Sequence, residues 1–332
     1  MNKFHSNSTL QLSSHALLQR NRRRYLLVKL SLLFSIFLLS PYLIAQTLSQ
    51  STSLSSKLPA PKSSAPKSSA PKFIDTRSGR WFLAWNDEFE GNRIDTDKWS
   101  LEINAEGGDN NELQYYTERK ENAWVESGQL HIRAIKEEFL YKGITRQYTS
   151  ARLRTFDKAD WTYGRFEIRA KLPHGQGLWP AVSMLPNTCQ TSCGEIHIME
   201  AINLRKSGKN EVFGTLLHGD NFPKNIHTTK TFSPKTSVVD TFHTYAIEWE
   251  KGEIRWYIDG EHYQTQKYTS AGAYPAPFNQ SFYLILNVAV GGDLPGGPTP
   301  QTPFPQTMEV DYVRVFQKPP SITPPKSDIA TF

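Results

Sequence analysis

The stretch GEIHIME, residues 194–200, sets two glutamates, Glu195 and Glu200, on either side of a histidine, His197. Two carboxylates in unlike surroundings can divide the work of a nucleophile or base and a proton donor. About 5–5.5 Å apart, such a pair suits double-displacement cleavage of a glycosidic bond. Taken alone, E-x-x-x-x-E reads equally well as two solvated acids on an outer strand.

The strand sets a condition on the first reading. Side chains alternate across a strand, so Glu195 and His197 share a face and Glu200 would point the other way. One extra residue, a β-bulge near Met199, brings Glu200 back to that face. Glu195, His197 and Glu200 then share one surface, with Ile196 and Ile198 beneath. A straight strand leaves the carboxyls too far apart, so a concave sheet has to close the gap.

The elements around this strand read as strands too. GRFEIRAKL alternates Phe166, Ile168 and Ala170 against Arg165, Glu167 and Arg169, and QLHIRAI alternates through Leu130, Ile132 and Ala134. YAIEWEKGEIRWYIDGEHY predicts hairpins turning at Lys251-Gly252 and Asp259-Gly260. SFYLILNVAVGG is apolar enough for a strand buried on both faces. MEVDYVRVFQ reads as the closing strand, and no amphipathic helix of ordinary length is expected. The fold class is all-β, a β-jelly-roll sandwich in one domain over 73–317.

Composition agrees, with 12% aromatic residues in 332. The net charge of +6 comes from the ends: residues 1–72 contain no acid, while 73–317 hold 26 bases and 31 acids. A mildly acidic domain excludes nucleic acid as the expected partner.

Residues 1–45 read as a signal peptide or a signal anchor, with Arg22–Arg24 ahead of an apolar run from Leu30 to Ala45. A twin-arginine signal is a weak third reading of RRRYLL. All three put the domain outside the cytoplasm: secreted, periplasmic or membrane-anchored. Residues 46–72 repeat S-S-A-P-K and form a linker of roughly 80 Å when extended. Its lysines suit a membrane or cell-wall tether; solubility is the plain alternative. Residues 318–332 are expected to be a disordered tail. A monomer is expected.

Cys189 and Cys193 are the only cysteines. In an exported chain a small disulfide ring is the first reading, and a zinc site with His197 the second.

The landmarks WNDEFEG (85–91), DTDKW (95–99), NELQYYT (111–117), SARLRT (150–155), YGRFEIRAKLPHGQGLWPA (163–181), GEIHIME, FHTYAIEWE (242–250), LNVAVGG (286–292) and VDYVRVF (310–316) follow one another in order. This chain resembles glycoside hydrolase family 16, in its laminarinase-like, endo-β-1,3-glucanase branch. The resemblance implies a jelly-roll with a concave glycan cleft and a bulged E-I-D-I-M-E strand. It implies retaining hydrolysis of β-1,3 or mixed β-1,3/1,4 glucans, with Glu195 as nucleophile and Glu200 as general acid/base. A non-hydrolytic β-glucan-binding protein and a transglycosylase are the alternatives. Trp179, Asn111, Glu112, Tyr115, Ser183 and His218 fall where the family meets sugar; Tyr116 lies in the same segment. No cofactor is implied for catalysis. A structural Ca²⁺ is implied at Glu88, Gly128 and Asp311, through the Asp311 carboxylate and two backbone carbonyls.

Three departures matter. His197 replaces the family's Asp, which should lower the pKa values of the carboxylates and shift activity toward acid. Ser183 stands where the family has Trp. Gln190-Thr191 stand where it has Trp-Pro. Indoles stack on sugars, so their loss predicts an altered subsite or weaker hydrolysis.

Overall fold

The computed structural model describes residues 69–188, 194–219, 225–268 and 277–319. The address, most of the linker, most of the tail, Gln190-Thr191 and both cysteines with their expected disulfide lie outside the described residues.

Two sheets account for the domain, and no α-helix occurs among the described residues. Seven strands make the sheet that carries GEIHIME. In spatial order they are β13 (Asn225–Phe232), β12 (Val212–Gly219), β11 (Glu195–Glu200), β10 (Leu178–Pro186), β17 (Phe282–Val290), β8 (Arg152–Arg154) and β3 (Ser100–Leu101). The opposing sheet runs β16 (Glu261–Lys267), β15 (Glu253–Ile258), β14 (His243–Glu250), β9 (Gly164–Lys171), β18 (Gln306–Gln317), β6 (Gln129–Tyr141), β7 (Ile144–Ser150) and β4 (Gln114–Tyr116). Beside that path β2 (Gly79–Asp87) pairs with β18, β1 (Phe73–Thr76) with β2, and β5 (Ala123–Glu126) with β6. Strands thus run from Phe73 to Gln317.

The alternation in the sequence is what packs these sheets. Phe166, Ile168 and Ala170 of β9 and Leu130, Ile132 and Ala134 of β6 are fully buried in one core. All nine residues of β17 are buried, as expected for a strand covered on both faces. Trp249 and Trp256 from the opposing sheet fill the space between. The β15–β16 turn uses Asp259 (φ 50°) and Gly260 (φ 80°), both left-handed as a tight hairpin requires.

Candidate active site

β11 carries the bulge that its sequence demands. Against β12, Glu195 lies opposite Leu217, His197 opposite Thr215 and Glu200 opposite Phe213, so three steps on β11 match two on β12. Against β10, His197 faces Ser183 and Met199 faces Val182, so Ile198 is the extra residue. Ile196, Ile198 and Met199 all enter the core. Two consecutive apolar residues, Ile198 and Met199, are therefore buried together, and Glu200 rejoins the outer face.

A bulge interrupts the ladder, and its backbone groups need other partners. The carbonyl of His197 accepts a hydrogen bond from Nε1 of Trp256, 2.9 Å away across the core. Room for that indole comes from Gly214 on β12. A Cβ there would lie 2.4 Å from Cδ1 and 2.5 Å from Nε1 of Trp256.

On the outer face His197 stands between the two acids. Its Nε2 is 2.9 Å from Glu195 Oε2, and its Nδ1 is 3.2 Å from Glu200 Oε2. The second contact is at ion-pair distance but too bent for a hydrogen bond. Trp179 Nε1 donates to Glu200 Oε1 at 3.0 Å. Glu200 is 3% exposed, so it needs these partners. Burial opposes charge on the imidazole, yet the Glu200 charge and the Glu195 hydrogen bond prevail and push His197 up to about 10. Burial likewise opposes the Glu195 charge, but the hydrogen bond and charge of His197 hold that carboxyl below its ordinary value. This is the direction expected for a histidine in place of an aspartate.

The rows across the sheet extend the site. Glu200, Ala181, Asn287 and Arg152 are successive partners on β11, β10, β17 and β8. Asn287 Nδ2 donates to the Tyr116 hydroxyl (3.1 Å), which donates to Glu112 Oε2 (3.2 Å); Gln114 Nε2 also reaches that oxygen (2.6 Å). The Arg152 guanidinium lies 4.7 Å from the centre of the Tyr116 ring. Glu112 is thus a buried network member on the flank of the site. Ser183, 7% exposed, lies beside His197. Trp179 is 8% exposed, and its indole N–H orients Glu200.

Two of the residues expected to meet sugar lie away from this network. Tyr115 points away from Glu112, because its neighbours Gln114 and Tyr116 take that side. It packs edge-on against Phe139 and Tyr141 at 5.3 and 6.0 Å, and Tyr116 is the tyrosine at the site. His218 fails by the same parity. Leu217 shares the face of Glu195, so His218 turns with buried Leu216 toward the core and meets Phe278 at 5.9 Å. Asn111, exposed, gives its amide to both oxygens of Asp293 at 3.1 Å.

Sequence reasoning missed Arg152, Asn287, Thr215 and His227. Thr215 faces His197, and its hydroxyl is 3.0 Å from that of Thr229 on β13. His227, paired with Leu217, helps to lower the Glu195 carboxyl, behind the larger effect of His197. The signal was cross-strand register, which a single sequence does not display.

Two of the residues expected around calcium, Glu88 and Asp311, have side-chain partners on the opposing sheet. Asp311 is the extra residue of a bulge in β18, between Val310 opposite Ala170 and Tyr312 opposite Arg169. Asp311 Oδ2 accepts from Arg169 Nη1 at 2.7 Å, and the Glu88 carboxylate is held by Arg314 through two 2.9 Å bonds. Both side-chain carboxylates are thus already paired with arginines.

Comparison with known proteins agrees with this geometry. The sequence model of Glycosyl hydrolases family 16 matches residues 110–314. A beta-glucanase of Rhodothermus marinus is 43% identical over 73% of this chain and 87% of its own length. A glucan endo-1,3-beta-glucosidase A1 of Niallia circulans is 38% identical over 71% of this chain, which spans only 38% of that longer protein. The X-ray structure of an endo-beta-1,3-glucanase from Pyrococcus furiosus superposes with a TM-score of 0.68, 37% identity, and coverage of 75% of this chain and 98% of the other. By sequence, by fold and by the bulged strand that aligns its two glutamates, this chain belongs to glycosyl hydrolase family 16.

Proposed function

We propose that the protein is a retaining endo-β-1,3-glucanase that also accepts mixed β-1,3/1,4 glucans. The observation that carries this reading is the bulge that sets Glu195 and Glu200 on one face, joined by His197. Glu195, 33% exposed and held anionic, attacks the anomeric carbon and forms a glycosyl-enzyme. Glu200, oriented by Trp179, passes a proton to the leaving oxygen and then takes one from the incoming water. Incubation with laminarin, lichenan and agarose across pH 4–9 tests the reading. Release of reducing ends from laminarin, with the β-anomer appearing first by proton NMR, is the expected result. An α-anomer first would overturn retention.

One observation favours a second reading, glucan binding without hydrolysis: His197 ties up both carboxylates. Measurable laminarin affinity with no reducing ends at any pH would select it. Transglycosylation would appear as products longer than the substrate.

Two further parts of the proposal concern setting. Export is supported by the apolar run behind Arg22–Arg24; a reporter fused after residue 72 should be found outside the cytoplasm. Structural calcium at Asp311, with the backbone carbonyls of Glu88 and Gly128, rests on the family resemblance, and the bulge of β18 at Asp311 is what supports it. Calcium should raise the melting temperature, and Asp311→Ala should remove that rise.

A further inference from the structure

We propose that the proton delivered to the leaving sugar is stored on Nδ1 of His197 in the resting site. It reaches the glycosidic oxygen through Glu200 as Glu195 bonds to the anomeric carbon. The proposal deepens the retaining reading and rests on it.

The hydrogen-bond inventory leads there. Glu195, as an ionised nucleophile, can only accept, so Nε2 of His197 carries a proton. Trp179 Nε1 can only donate, so Glu200 Oε1 accepts. The site's one mobile proton then belongs to Nδ1 or to Glu200 Oε2, which face each other at ion-pair distance, 3.2 Å apart. On the imidazole it makes one cation between two anions. On Glu200 it leaves a neutral ring beside an unscreened Glu195. The first arrangement places a positive charge against both carboxylates at short range, in a site with little water.

The groups that face His197 from other elements leave this balance in place. Ser183 on β10 and Thr215 on β12 are uncharged and lie directly opposite it. His227 on β13 and Arg152 on β8 act on Glu195 rather than on the ring. Tyr263 on β16 feels the Glu200 charge, and its hydroxyl is pushed up, chiefly by burial, so it stays neutral. Trp256 of β15 donates its indole N–H to the His197 backbone carbonyl and carries no charge. Among the described residues, His197 is the only cation in ion-pair contact with Glu200.

The two half-reactions balance. In the first, a Glu195 oxygen bonds to the anomeric carbon and the bond to the leaving oxygen breaks. The His197 proton moves to Glu200 and on to that oxygen, leaving a glycosyl ester, a neutral imidazole and a carboxylate on Glu200. In the second, water attacks the anomeric carbon and the ester bond breaks. The water proton passes to Glu200 and back to His197 as Glu195 departs as a carboxylate. Ester formation consumes the negative charge that holds the proton on the ring. The attack itself therefore frees the acid when the leaving group needs it.

Nitrogen-15 NMR of labelled protein, with the His197 signals assigned by their loss in His197→Gln, reads the store directly. In the resting protein both ring nitrogens should be protonated from pH 6 to 8. After trapping with a 2-deoxy-2-fluoro laminaribiosyl donor bearing a dinitrophenolate, the His197 midpoint should fall by at least one pH unit. A neutral resting ring, or a midpoint unmoved by trapping, would overturn the proposal. Mass spectrometry of the trapped protein checks the underlying reading separately: no adduct on Glu195 removes retention and the relay with it. Kinetics give a second readout. The variant's loss on laminarin should exceed its loss on the dinitrophenyl donor at least tenfold, because dinitrophenolate leaves without an acid. Equal losses would mark His197 as merely structural.

Discussion

Two buried clusters of acid, one on each sheet, solve the same problem in opposite ways. On the opposing sheet Glu248, 1% exposed, is surrounded by donors. Arg165 Nη1 lies at 3.0 Å, Arg255 Nε and Nη2 at 3.1 and 3.0 Å, and the hydroxyls of Tyr257 and Ser78 at 3.0 and 2.9 Å. Arg255 also pairs with Glu250 and Glu253, and Arg165 with Glu167. Oε2 takes four of these bonds and Oε1 one, all from groups that do not give up a proton near neutral pH. On β11 two carboxylates share one imidazole, and one of its two contacts is bent. Guanidinium-rich pairing fixes a charge in place. A single titratable cation between two anions keeps a proton movable. Burial and ion pairing alone therefore do not mark a functional site; the chemistry of the partner does.

The largest effect expected from breaking this contrast is chemical. Glu195→Gln should lower turnover of laminarin by about 10⁴-fold or more, with an unchanged circular dichroism spectrum. Glu248→Ala should do the reverse. It removes the acceptor shared by Arg165, Arg255, Tyr257 and Ser78, leaving Arg165 with Glu167 and Arg255 with Glu250 and Glu253. It should cost about 2–3 kcal/mol in urea unfolding, while kcat per folded molecule stays within twofold.

Trp256→Phe sits between the two clusters in kind. It leaves the His197 carbonyl without its donor, for about 1–3 kcal/mol, and should also slow turnover because the bulge is no longer pinned. Gly214→Ala should reproduce both losses by displacing the same indole. Parallel urea and kinetic measurements check the pairing of effects.

The smallest effect separates the clusters by pH. His197 is raised in the folded chain to about 10, so its contribution is complete below about 6.5 and is lost as pH rises toward 10. Glu248 is lowered: burial raises it, but Ser78, Arg165 and Tyr257 outweigh that. Its contribution is present above the unfolded value, about 4.3, and is lost as pH falls through the folded one. Unfolding at a series of pH values should show His197→Gln flattening the alkaline side only and Glu248→Gln the acid side only. Any crossover between the two limbs would refute the assignment.

Much of this was legible beforehand, for reasons that can be named. The bulge follows from parity, because Glu195 and Glu200 cannot share a face without an extra residue. The cores of β6, β9 and β17 follow from their apolar periods. Parity within a strand does not say which face Tyr115 or His218 presents to the site until a neighbouring strand fixes it. The register of β11 against β12, and the side that β4 turns toward Asn287, are long-range facts. So is the bond from Trp256 to His197, which spans 59 residues. Local pattern carries no trace of it.

The indole of Trp256 has a wider meaning. It is a rigid strut of fixed length, seated over Gly214 and ending on the backbone of the catalytic strand. The distance between the sheets is thereby written into the position of His197. Turnover then serves as a gauge of how tightly the sandwich is closed. A core substitution far from the cleft, or gentle warming, that parts the sheets by a fraction of an ångström would register in catalysis before it registers as unfolding.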